Sequence, residues 1–383
     1  MDDRQSQEEG KGAMNLTDLD AHATELHQQA IVIDGHSDIL MPVADGKMRL
    51  GDRVSVPDPD AWEMPPNLEQ SALVQFGLKP HAAFFGPMGQ YDLPRFFEGG
   101  ITAQVCAIYV GDSQLGWALR RGLEMTWHLH NAIETNDALE LVTTVADLQR
   151  VKQEGKCGLI LSFEGCEALG ADPRFLDLYY KLGLRMVSLT HIRRNLFADG
   201  CRGADKQGGL TPLGKQLVRR MNELGIVIDL VHVGEVGYWE ILDLTTAPVI
   251  LSHSTPTMFP NSDPKAGTLL GGKFPRPRLE LPRDRAMLEA LAKNGGVLGA
   301  IWIGHASIDD VVRDIETALE VMGPDHVGLG SDLYGLEQAP RGLEDISKTP
   351  ALTRRLLERG HADEVVLKIL GGNYVRVFEQ VWR

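Results

Sequence analysis

Seven residues able to bind a divalent cation or move a proton fall just after short apolar runs of this chain. His36 and Asp38 stand two apart in Asp34-Gly-His36-Ser-Asp38. Glu164 closes Ser162-Phe-Glu164, His191 ends Ser188-Leu-Thr-His191, and His232 ends Asp229-Leu-Val-His232. His253 follows Ser252, and Asp332 follows Ser331. Alternate residues of an extended chain share a face, so His36 and Asp38 can point at one ion. Imidazoles and carboxylates are the ligands that zinc and related divalent ions take, and they must converge from different elements. One such residue proves nothing, since a lone histidine is commonly a satisfied structural group and a lone aspartate a helix N-cap. Four histidines and three carboxylates in phase at six run ends are a pattern that chance rarely gives.

Other chemistries find little support. No Gly-x-Ser-x-Gly elbow occurs, and no cysteine has an obvious partner histidine, which argues against covalent catalysis. Cys106, Cys157, Cys166 and Cys201 show neither CxxC pairing nor zinc-finger spacing and read as reduced, buried, inert thiols. His128 and His130 lie two apart in a predicted helix, on different faces, and read as surface or core. His22 and His27 precede the first strand, His81 lies in a long loop and His361 beyond the last strand. His305 stands on the expected site rim and is a candidate substrate contact, while His326 falls at the opposite end.

The elements that must position the seven residues are eight apolar runs, at 30–34, 101–110, 158–163, 186–189, 226–231, 249–252, 297–302 and 327–331. They are rich in Val, Ile and Leu with little polar alternation, as parallel strands buried on both faces are. Amphipathic stretches such as 211–224 and 308–322 separate them. Thr211 is placed to cap the first of these, with Pro212 at its first position and Gly225 after its end. Eight βα units predict a single TIM-type (β/α)8 barrel spanning residues 15–383, with residues 1–14 as a flexible tail. A doubly wound open sheet is the alternative, but no GxGxxG or GxxxxGK[ST] motif supports its nucleotide-binding versions. Long loops after the first and sixth strands, 41–95 and 255–282, are placed to form the substrate pocket or a lid. The net charge of −15 argues against a nucleic-acid partner. With no apolar signal-peptide core and no run of 18 apolar residues, neither secretion nor membrane insertion is expected, and a cytoplasmic enzyme is.

At these residues the chain resembles the renal (membrane) dipeptidase family of the amidohydrolase superfamily. The matching segments are IDGHSD, LSFEG, SLTHIRRNLFADG, GLTPLGKQLVRRMNELGIVIDLVH, PVILSHS, KNGGV and HVGLGSD, in the family's order from residue 33 to residue 332. The resemblance implies two divalent ions, zinc above all. His36 and Asp38 would bind one, His232 and His253 the other, and Glu164 would bridge them. His191 would polarise the scissile carbonyl, and Asp332 would handle protons and the substrate amine. An arginine after the SHS segment would hold the substrate carboxylate. The region there departs from the family pattern and reads FPRPRLELPRDR, with Arg278 as the choice and Arg276 and Arg283 as rivals.

The activity so implied is zinc-dependent hydrolysis of dipeptides, L-Xaa-D-Xaa as well as L-Xaa-L-Xaa, by a hydroxide shared between the two ions. A second enzymatic reading is a two-metal hydrolase of N-acyl amino acids, lactones or other small amides. A third is a non-enzymatic descendant, against which the intact ligand set argues. The resemblance also points to a homodimer, whose interface one chain does not reveal.

Overall fold

The computed structural model describes residues 16–55, 89–201, 208–256, 282–335 and 339–383. The proposed 1–14 tail and His81 therefore lie outside the described residues. Among the described residues there are nine parallel strands: β1 (Ile33–Asp34), β2 (Ala103–Tyr109), β3 (Leu139–Leu141), β4 (Cys157–Glu164), β5 (Leu184–Ser188), β6 (Val227–Asp229), β7 (Ile250–Ser254), β8 (Val297–Ala300) and β9 (Val327–Leu329). Eight of them close a barrel in the order β1-β2-β4-β5-β6-β7-β8-β9, with β9 returning to β1. The longest seam runs from Ala103 opposite Gly158 to Tyr109 opposite Glu164. Helices surround this ring, as expected for a (β/α)8 fold.

The apolar runs mark the right strands but overstate several of them. Only Ile33–Asp34 of run 30–34 and Val227–Asp229 of run 226–231 join a ladder. Residues beyond these ends still face a packed interior, so they stay apolar without pairing. The extra strand, β3, was not expected. It pairs with Cys157–Leu159 at the start of β4, on the edge that β5 takes over from Leu161. Three residues with one partner carry too little apolar pattern to stand out.

Alternation along the strands sorts the core into two layers. Val105, Ile160, Met186, Val227, Ile250 and Val297 point inward and form one cluster with Tyr374, Val377 and Phe378 of the C-terminal helix Asn373–Val381, which plugs the bottom of the barrel. Leu159, Leu161 and Phe163 point outward against the helices. Following the inward face of β4 upward from Ile160 leads to Ser162 and then Glu164. A carboxylate is thereby aimed at the barrel axis at its C-terminal mouth. Glycine lets the plug rise this far: a Cβ on Gly299 would lie 2.4 Å from the Tyr374 hydroxyl. That hydroxyl donates within reach of the Leu329 carbonyl, at 3.0 Å, and the Ser252 carbonyl, at 3.3 Å.

The helix Pro212–Leu224 begins as its sequence suggests. Thr211 accepts from Gly214 N at 3.1 Å, and Gly225 ends it at φ 73°. Among the described residues no helix is long and apolar enough to cross a membrane.

Candidate metal centre

Each of the seven residues is positioned by a short, hydrogen-bonded strand end. His36 and Asp38 leave β1 on a segment tied to β2, where Ser37 Oγ donates to Val105 O at 2.8 Å and Ala107 N to Ser37 O at 2.9 Å. Asp34, just before them, is buried and ties β1 to β9. Its carboxylate accepts from Ser331 N at 2.7 Å, Ser331 Oγ at 2.6 Å and Gln104 Nε2 at 3.1 Å, and Tyr91 Oη stands 3.1 Å away. Burial is the main reason its pKa rises above the ordinary carboxylate value. Asp229 does the same for β6 and β7, accepting from Val231 N at 3.1 Å and Ser252 N at 3.0 Å. Burial lifts it to about 6.

Two of the site residues sit on left-handed backbone, His232 at φ 62° and Asp332 at φ 56°. That conformation costs a non-glycine residue about 1–3 kcal/mol and persists only where surroundings enforce it. Here the enforcing contacts are visible. Ser188 Oγ donates toward Val231 O at 2.9 Å, and Cys201 N donates to His232 O at 2.7 Å. Ser331 is pinned by Asp34, and Tyr334 N donates to Gln90 Oε1 at 2.7 Å.

The side chains meet around one oxygen. Glu164 Oε1 lies 2.9 Å from His232 Nε2, 3.6 Å from His253 Nε2, 3.8 Å from His36 Nε2 and 4.0 Å from His191 Nε2. His36 Nε2 is in turn 3.7 Å from Asp332 Oδ1. Among the described residues, three triads have ligand atoms within 4.8 Å of one another: His36, Asp38 and Glu164; Glu164, His232 and His253; and His36, His253 and Asp332. His36, Asp38, Glu164 and His253 are buried, whereas His191, His232 and Asp332 are partly exposed and form the open side.

Electrostatics follows from this crowding. Burial drives His36 down to about 4 and His191 to about 3, with the Glu164 charge opposing in each case. Burial also holds His253 well below its ordinary value. These imidazoles are therefore neutral and present lone pairs, the state a metal ligand needs. His232 goes the other way: burial lowers it, but hydrogen bonds with the Cys201 thiol and Glu164 outweigh that. Burial would raise Glu164, and the surrounding histidines reverse the sign and hold it well below the usual range. Asp38 and Asp332 are pushed well up, by burial first and then by the charge of Glu164. Three carboxylates this close favour a cation among them. Buried His36 Nε2 and Asp38 Oδ1 also have no hydrogen-bond partner, and a buried polar atom without a partner is costly. Nitrogen and oxygen donors in this arrangement fit divalent ions of the zinc type.

The other predicted positions lie elsewhere. Arg276 and Arg278 are outside the described residues, and Arg283 falls in the first turn of the helix Pro282–Lys293. His305 is engaged by Trp302 O and Asp314 Oδ2, each at 3.0 Å. His326 Nδ1 meets Gly296 O at 2.8 Å, at the start of β9. Cys106, Cys157 and Cys166 are buried, but Cys201 is only partly so and touches His232, which corrects the view of four inert thiols. Sequence reasoning missed Tyr109, whose ring meets that of His191 edge-on at 4.8 Å. It also missed Ser252, whose Oγ lies 2.9 Å from His253 Nδ1. Tyr109 hides in an apolar run, and Ser252 shows only as a polar residue interrupting one.

The sequence profile of the membrane dipeptidases (peptidase family M19) matches residues 20–265 and 276–383. Dipeptidase tcpJ of Claviceps purpurea is 31% identical over 312 residues, covering 76% of this chain and 69% of that protein. Dipeptidase aclJ of Aspergillus oryzae is 31% identical over 314 residues, covering 76% and 70%. The fold superposes on the probable dipeptidase PvdM from Pseudomonas aeruginosa with a TM-score of 0.71 at 20% identity, over 96% of this chain and 99% of that one. It also superposes on a Rhodobacter sphaeroides metallopeptidase liganded with a phosphinate mimic of L-Ala-D-Ala, with a TM-score of 0.70 at 24% identity, over 92% and 100%. At these identities the superpositions speak for the fold.

Proposed function

Because this chain belongs to the membrane dipeptidase family and is a metal-dependent hydrolase of that class, we propose that it cleaves small dipeptides with two zinc ions as cofactor. His36, Asp38, Glu164, His232 and His253 would hold the ions, with Glu164 shared between them. The observation that carries this reading is the convergence of three histidine Nε2 atoms within 3.8 Å of one buried Glu164 oxygen. Bound there, divalent ions would supply Lewis acidity toward the scissile carbonyl and ionise a water near neutral pH.

The residues of the chain divide the remaining work. His191 faces the centre from the open side, braced by the Tyr109 ring. With its proton on Nε2, the nitrogen that faces Glu164 Oε1 at 4.0 Å, it would donate to the substrate carbonyl oxygen as negative charge develops. Its low pKa keeps it a neutral donor rather than a competing cation. Asp332 stands across His36, its Oδ1 3.7 Å from His36 Nε2 on the open side of the centre. It would take a proton from the attacking water at Oδ1 and pass it to the leaving amine. Substrates of both L-Xaa-L-Xaa and L-Xaa-D-Xaa type belong to the proposal, as does Arg278 as the anchor for the substrate carboxylate.

Metal analysis of the purified protein, followed by a screen of both dipeptide stereochemical series with added zinc, tests this. We expect two ions per chain, turnover lost on chelation and regained with zinc, and Asp332→Asn inactive but folded. Two bound ions without dipeptide turnover would move the function to N-acyl amino acids, lactones or other small amides. Near-normal turnover by metal-loaded Asp332→Asn would remove its proton-transfer role.

A further inference from the structure

Beside the metal centre, on the same C-terminal rim of the barrel, is a cavity of about 720 Å3. It is bounded by the segments that follow β2, β4 and β5, and its lining includes Glu167 and Arg193, three and two residues from Glu164 and His191. Tyr109 joins the two places, hydrogen-bonded to Arg193 and stacked edge-on against His191.

The arginines and the asparagine of its lining are already engaged, whereas the buried oxygens of Glu167 have no hydrogen-bond partner and meet Arg193 only as an ion pair. Arg193 donates from Nη1 to Asp112 Oδ1 at 2.6 Å and from Nη2 to Val110 O at 2.6 Å, and its Nε lies 3.1 Å from Glu167 Oε1. Arg194 pairs with Asp199, and Arg120 donates to Glu124 Oε1 at 2.7 Å. Asn195 donates to Leu189 O at 2.7 Å and accepts from Phe197 N at 2.9 Å. Arg193 is therefore a strut between loops, and Arg120 and Arg194 are paired locally, rather than forming a free anion site. Apart from the Glu167 carboxylate, what the cavity offers an occupant is mainly apolar: Leu115, Trp117 and Leu196, which stay 42%, 42% and 53% exposed, together with Leu119. Apolar side chains left open at the edge of a reaction centre mark a surface kept for a ligand.

We infer that this cavity is the subsite for an apolar side chain of the substrate, and that Trp117 and Leu196 set a preference for large aliphatic or aromatic dipeptides. The inference rests on the dipeptidase reading above. It is specific to this chain's loops after β2 and β5 and involves no proposed metal ligand.

Two opposite variants test it. Trp117→Ala removes one wall. Gly116→Trp adds bulk at the lining, and a Cβ there meets nothing within 4 Å, so the backbone should accept it. The assay is kcat/KM on two series, Xaa-Ala and Ala-Xaa, with Xaa as Ala, Leu or Phe, at equal zinc content. In the wild type, Leu and Phe should exceed Ala by roughly tenfold or more in one of the series, the scale at which an apolar pocket discriminates size. Both variants should erase most of that preference, the loss falling on kcat/KM of the Leu and Phe substrates. Wild-type turnover without apolar preference, or variants that slow every substrate alike, overturns the subsite alone. No dipeptide turnover by zinc-loaded wild type overturns the dipeptidase reading and the subsite with it.

Discussion

Ser252→Ala separates a histidine held for a ligand from one merely packed in place. His253 Nδ1 lies 2.9 Å from Ser252 Oγ, and the Ser252 hydroxyl reaches on to Asp229. With Nε2 facing Glu164, the proton sits on Nδ1 and donates to Ser252, whose own hydrogen goes to the carboxylate. Ser252 is fully buried, so no solvent replaces the lost oxygen. Leaving a buried donor without its acceptor costs about 1–3 kcal/mol. At about 1.4 kcal/mol per tenfold, this corresponds to roughly 5- to 150-fold in an equilibrium constant. Outer partners of metal-bound histidines are worth about 10- to 100-fold in metal affinity, which agrees. Zinc affinity of the variant, measured by competition with a chromophoric chelator, should therefore fall by roughly 10- to 100-fold. Turnover at saturating zinc should fall less, since no group proposed to touch substrate has changed. A zinc affinity within about twofold of wild type would refute the claim that this relay orients His253 for metal.

Three further perturbations probe the scaffold. Gly330→Ala would place a Cβ 1.8 Å from the Ser252 carbonyl, backbone that cannot move aside, so urea unfolding should show a loss of roughly 2–3 kcal/mol or more; unchanged stability would deny the contact of β9 with the β7 rim. Tyr374→Phe removes the hydroxyl that reaches Leu329 O and Ser252 O and should cost about 1 kcal/mol in thermal unfolding with KM unaltered. His27 is held neutral between Thr353 Oγ1 at 2.7 Å and Gly99 O at 2.9 Å, and burial lowers it from its ordinary value of 6.5. A histidine with a depressed folded pKa contributes stability that is present above 6.5 and lost as pH falls below it. The wild-type melting temperature should thus drop more steeply on acidification below that value than the melting temperature of His27→Gln; parallel curves would remove His27 from the account.

Much of the barrel was legible because its physics is local. Strands buried on both faces must be apolar at nearly every position, so the run 158–163 announces itself, and a charge ending it, Glu164, is conspicuous. The helix Pro212–Leu224 was legible for the same reason, its cap and terminator being chosen by backbone geometry within a few residues. Strand limits were not legible. Apolarity reports burial, and Leu230 and Val231 are buried without belonging to the β6 ladder. The triplet β3 escaped because one edge of β4 demands little of it.

What the chain determined by itself is the inventory: parallel strands, and a carboxylate or imidazole in step with the end of six of them. Which of these atoms share a space, and at what distance, was decided only when the ring closed and brought residues 36, 164, 232 and 253 together. The same closure set Tyr374 under the site and bent His232 and Asp332 into left-handed backbone. It also separated neutral imidazoles from the charged carboxylate among them. Periodicity and capping act over a few residues, whereas desolvation and the electrostatic field depend on everything nearby in space, wherever it lies along the chain.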